Sequence, residues 1–170
     1  MPPSSPPIPS DEMLSRLERA LASSPADATE LIWVEARRGQ ESNGKRRRDS
    51  YEQQERMVLA RVRESGRFGI HRTSGSEVSD LERAVRQALA QARISPRSSP
   101  PLLPEGAEGP LAPLGQLHDP ELARMTSGKA RELVQRLSDD GETVRFGWAE
   151  GRVAVASSRG LRRKAEVTSA

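Results

Sequence analysis

Two alternating runs separated by two residues fix more of this chain's fold than anything else in it. Residues 58–64, "VLARVRE", alternate with Val58, Ala60 and Val62 on one face, and residues 67–73, "RFGIHRT", resume directly after Ser65-Gly66. A two-residue connection ending in glycine predicts a tight antiparallel hairpin. Five residues later an apolar stripe begins: Val78, Leu81, Val85, Leu89 and Ala92 recur at helical spacing. Ser79 with Glu82 has capping-box spacing, and Ser76 is an equal candidate for the cap.

The rest of the chain repeats this grammar. Ser10 is placed to cap a first helix, with Asp11 and Glu12 in its first turn and Met13, Leu14, Leu17 and Leu21 on its stripe; it ends near residues 23–25. Residues 29–38 read as a strand with Ile32, Val34 and Ala36 on one side and Trp33, Glu35 and Arg37 on the other. "GQESNGKRRRD" reads as a polar break, and residues 51–64 as the next strand. Asp119-Pro120 signals a helix start, with a stripe of Leu122, Met125, Ala130, Leu133, Val134 and Leu137 and a weak point at Gly128. The C-terminal part reads as a meander. Val144, Phe146 and Trp148 share a face, Glu150-Gly151 turns the chain, Val153 and Val155 return, and residues 161–168 alternate once more.

Helices segregated from hairpin-connected strands predict an α+β fold: a mostly antiparallel sheet with about three helices packed on it. Pro- and Ser-rich residues 1–9 read as a disordered arm, residues 10–170 as one domain, and the Pro-rich stretch 95–118 as a linker or extended surface loop, much of it over 96–116 expected to be mobile.

Composition narrows the chemistry. No cysteine is present, so disulfides and thiolate metal sites are excluded, and a cytoplasmic location is expected. No apolar run is long enough to span a membrane. The basic residues number 27 against 24 acidic ones. The excess is local, at residues 45–48 and at Arg159, Arg162, Arg163 and Lys164, which argues against a general nucleic-acid-binding surface as the main role. His71 on the third strand has no ligand-like carboxylate spacing around it, and His118 precedes an aspartate better used as a helix cap. No phosphate-binding glycine loop and no nucleophile elbow surround any candidate. The residues therefore offer no catalytic, metal-binding or cofactor-binding constellation of their own.

The order of elements resembles the N-terminal domain of the TldD/PmbA family, bacterial and archaeal metallopeptidases also described as modulators of DNA gyrase. The resemblance rests on "VLARV", on "ESGRFGIHRT", and on a helix in which Asp80, Leu81, Ala84, Val85, Ala88, Leu89 and Ala92 follow the family pattern. Asp119-Pro120 and Ser157-Ser158-Arg159-Gly160 complete it. Ser157 stands where the family commonly has asparagine, and Met57 where it often has glycine. The family's H-E-x-x-x-H zinc motif is absent from this sequence, so no site residue carries over. The resemblance implies a non-catalytic domain, with zinc only in a partner: another TldD/PmbA-type subunit in a heterodimer engaged in proteolysis or peptide maturation. Extended peptides are the implied ligands. Val153, Val155 and Val167, on the last two strands, are the candidate peptide or partner edge. A free-standing peptide- or protein-binding module is the first alternative, and a basic nucleic-acid-binding protein the second.

Overall fold

The Ser65-Gly66 hairpin forms as its sequence requires. Ser65 has φ 50° and Gly66 φ 70°, the left-handed pair of a two-residue turn whose twist matches its strands. A computed structural model gives the fold of the chain and describes residues 8–44, 48–98, 102, 117–138 and 143–170. The elements are α1 (Ser10–Ala22), β1 (Ala28–Asn43), β2 (Arg48–Glu64), β3 (Arg67–Thr73), α2 (Val78–Ile94), α3 (Pro120–Ala123), α4 (Ser127–Leu137), β4 (Val144–Ser157) and β5 (Arg162–Ser169). The strands form one five-stranded antiparallel sheet in the order β3-β2-β1-β4-β5. The α+β expectation holds, with four helices among the described residues where about three were expected.

Contacts divide the chain into two compact units. The first comprises Met1–Val34, Arg56–Pro110 and Arg152–Ala165. Its core joins Met13 and Leu17 of α1 and Leu81, Val85 and Ala88 of α2 to Leu31 and Trp33 of β1 and Val58, Ala60 and Val62 of β2. On β1 the buried face is the one carrying Trp33; Ile32 and Val34 are only half-buried. Register pairs Ala60 with His71 and Val62 with Gly69. Gly69 is needed for close approach: a Cβ there would lie 1.9 Å from the carbonyl oxygen of Ala88. The sheet edge at β3 is covered, since Gln91 accepts from the Ile70 N–H at 3.0 Å and Arg97 bridges Arg67.

The second unit comprises Glu35–Glu55, Leu111–Gly151 and Glu166–Ala170. Trp148 lies across Gly39, where a Cβ would come within 2.1 Å of its ring, and stacks on Phe146 with ring centroids 6.1 Å apart. Val134 and Ala130 of α4 are buried in this unit, as are three carboxylates, Glu35, Glu41 and Glu150.

Several sequence expectations are corrected here. Ser10 is inside α1, not its cap; the carbonyl of Pro9 accepts from Met13 and no side chain caps the helix. Neither Ser76 nor Ser79 caps α2, whose N-cap is Glu77. The single helix expected after Pro120 is two, broken at residues 124–126, and each has its own cap: Asp119 Oδ1 for α3 and Thr126 Oγ1 for α4. The polar break is mostly strand, because β1 runs to Asn43 and β2 starts at Arg48. Glu150-Gly151 is no turn; β4 passes straight through it. Glu150 is buried against Arg37 at 3.3 Å, and Gly151 admits Val167, whose Cγ2 would lie 3.1 Å from a Cβ there. Of the arm, residues 1–7 lie outside the described residues, while Ile8 packs against the core and its carbonyl accepts from Arg152 at 3.3 Å. Of the stretch 95–118, residues 95–98, 102, 117 and 118 are described. Ser98 donates to Gly66 at 3.2 Å, so this end of the expected linker is anchored.

Candidate functional site

The β4–β5 connection decides which backbone groups the outer strand exposes. Gly160 takes φ 91°, its N–H donates to the Ser157 carbonyl at 3.1 Å, and the Ser157 N–H donates to the Leu161 carbonyl at 2.9 Å. The buried Ser157 hydroxyl accepts from the N–H groups of Arg159 at 3.3 Å and Leu161 at 3.2 Å. A hydroxyl thus organises this turn. Ser158 ties the turn to β1, its N–H donating to the Thr29 carbonyl and its Oγ accepting from the Thr29 N–H. These serines are turn builders.

Because Leu161 faces β4, alternation directs the backbone groups of Arg162 and Lys164 away from it. In the first unit these two residues therefore present the outer edge of the sheet. Their side chains are held by α1: Arg162 bonds Glu18, and Lys164 bonds Asp11 at 2.5 Å. These are exposed pairs that blunt the edge electrostatically and add little stability. In the second unit the continuation of β5 is covered. Thr168 donates its N–H to the Leu117 carbonyl at 2.7 Å, and its Oγ1 accepts from the Asp119 N–H at 2.7 Å.

The three valines singled out from sequence separate. Val153 and Val155 are half-buried on β4, which has β1 on one side and β5 on the other, so they are not on the sheet's edge strand. Val167 is on β5, 41% exposed, and leans over Gly151.

His71 is a half-buried strand residue opposite Ala60, and the aspartate after His118 caps α3. Among the described residues no three His, Asp or Glu side chains gather in a way that could hold a metal ion. Lys45, Arg46 and Arg47 lie outside the described residues. No described helix is long and apolar enough to cross a membrane.

Sequence reasoning missed a polar cluster in the second unit. Arg37 reaches Glu150 at 3.3 Å, Glu52 at 3.8 Å and the Ala123 carbonyl at 2.6 Å, and Ser127 donates to Glu52 at 2.9 Å. Beside the end of β1, Glu41, Ser42, Asn43, Arg48, Ser50, Arg131, Val134 and Gln135 line a cavity of about 280 Å³.

No family model matches the chain, and no curated protein matches it in sequence. Solved structures do match. TldE from Thermococcus kodakarensis aligns over 93% of this chain with a TM-score of 0.66 and 18% identity. The fold is that of part of TldE. Two proteins described as modulators of DNA gyrase align over the same share of the chain. The one from Bacteroides thetaiotaomicron gives a TM-score of 0.66 at 15% identity, and the one from Thermotoga maritima 0.67 at 13%. The alignments cover 36%, 38% and 37% of those chains in turn, so this chain spans little more than a third of their length.

Proposed function

We propose that this chain is a non-catalytic domain of a TldD/PmbA-type peptidase system. In this reading it works in the cytoplasm, pairs with a TldD/PmbA-type subunit that carries the zinc motif, and helps hold extended peptides for proteolysis or maturation. The observation that carries the reading is the edge at β5, where alternation turns the N–H of Arg162 and both backbone groups of Lys164 outward, the Arg162 carbonyl accepting from the Arg163 guanidinium at 3.0 Å, in a fold shared with TldE. Strand addition along such an edge takes its affinity from main-chain hydrogen bonds and so accepts many sequences. A nucleic-acid role is disfavoured, because Arg162 and Lys164 already answer Glu18 and Asp11.

Lys164→Pro tests this directly. Proline is tolerated at edge positions whose N–H faces solvent, so the sheet should survive while one outward donor is lost. The variant is expected to keep its circular dichroism spectrum and to recover a zinc-motif partner from native lysate, or bind an extended peptide, at least tenfold more weakly. Unchanged recovery and unchanged peptide affinity would remove β5 from the interface. Binding that collapses steeply with salt and extends to nucleic acid would favour the basic-surface reading instead.

A further inference from the structure

The cavity beside the end of β1 is independent of that edge and has a different chemistry. At its wall is Glu41, whose side chain is only 5% exposed. The Ser50 hydroxyl donates to it. Arg131 stands 3.6 Å away, close enough for charge attraction and too far for a well-made hydrogen bond. An ionised carboxylate offers about four acceptor positions, so Glu41 has capacity that these two neighbours do not fill. Arg48 also lines the cavity and uses its Nε on the Asn43 amide oxygen at 3.1 Å. Its terminal nitrogens and those of Arg131 remain as donors, and the Gln135 amide adds both a donor and an acceptor.

The charges decide the ligand class. Glu41 opposes a simple anion, and two guanidinium groups oppose a simple cation. A ligand with an ammonium at one end and a carboxylate at the other answers both. Its ammonium would take acceptor positions on Glu41, and its carboxylate would lie against the forks of Arg48 and Arg131, which suit a planar two-oxygen group. The volume corresponds to about nine waters at ~30 Å³ each, the size of a free amino acid or a small dipeptide. Val134 supplies an apolar wall for a methyl-sized side chain. We propose that this cavity binds a short zwitterion, an unblocked amino acid or dipeptide.

The test titrates the full chain with alanine and with alanyl-alanine, followed by calorimetry and by amide shifts of residues 41–50 and 131–135. Two blocked dipeptides serve as controls, one N-acetylated and one C-amidated. Alanine or the unblocked dipeptide is expected to saturate the site in the millimolar range, with each blocked form at least tenfold weaker. Glu41→Gln should abolish discrimination against the acetylated form, and Arg131→Gln discrimination against the amide. Arg131 is 56% exposed, so its replacement keeps the test valid even if the Glu41 variant fails to fold. Several results would overturn the proposal. They are no shift at about 10 mM of any ligand, equal binding of blocked and free forms, and binding of the acetylated form as tight as the free one, which would make the site a plain anion site.

Discussion

Glu30 is fully buried on β1, and its Oε2 lies 2.9 Å from Arg61 on β2, whose guanidinium stacks over Phe68 at 5.3 Å. Removing one member of such a pair strands the other's charge, whereas removing both with similar volume does not. Arg61→Met is expected to cost about 3 kcal/mol in urea unfolding, and Glu30→Leu with Arg61→Met to recover most of it. An equal or larger loss in the double variant would mean that packing, not charge, sets the cost. Gly69 makes a complementary case without charge. The Cβ of Gly69→Ala would meet backbone atoms of α2, which cannot swing aside as a side chain can. A loss of about 3 kcal/mol is expected. At Gly66 nothing lies within 4 Å, so Gly66→Ala should cost only the ~1 kcal/mol of its left-handed backbone.

At the scale of elements, what could be read from sequence was whatever repeats with a period. The β2–β3 hairpin and α2 follow from alternation, a two-residue turn and a helical stripe, and all three stand as expected. What could not be read was polar sequence held in strands. Glu41, Arg48 and Ser50 look like loop because nothing apolar marks their alternation, yet they line the cavity. Glu150-Gly151 looks like a turn because the same dipeptide serves turns elsewhere; here burial of the carboxylate against Arg37 and the approach of Val167 keep the strand straight. The continuity of β4 has a consequence. By the alternation set at Ser157, Val155 faces β5 with its own N–H, in the interior of the sheet. Val155→Pro should remove a ladder donor and abolish the cooperative unfolding transition, in contrast to Lys164→Pro one strand away. Equal stability of the two variants, measured by thermal unfolding, would show the assigned pairing to be wrong. Asp119→Ala is a milder case. Asp119 accepts from Glu121 at 2.8 Å and Leu122 at 3.4 Å, so its loss should cost about 1 kcal/mol, seen as faster amide exchange in residues 120–123.

Across the whole molecule, among the described residues the first unit buries one carboxylate, Glu30, within an apolar core, the second buries three, Glu35, Glu41 and Glu150, and each unit holds one tryptophan. Trp33 sits among leucines, valines and a methionine drawn from α1, α2 and β2, and is fully buried. Trp148, 3% exposed, is flanked by Phe146 and Gly39 in a unit whose other buried side chains include Glu35, Glu41 and Glu150. Apolar burial drives folding, and buried carboxylates return little of their desolvation cost even when paired. The second unit should therefore open at lower free energy than the first. Labelling both indoles with fluorine gives one resonance per unit without any change of sequence. In a urea titration followed by fluorine NMR, the Trp148 signal is expected to leave its native position at lower denaturant than the Trp33 signal, and amides of α4 should exchange faster than those of α2. Two resonances that disappear together, with α4 and α2 equally protected, would mean that the chain unfolds as a single cooperative body. The charged interior of the second unit would then carry no stability penalty relative to the first.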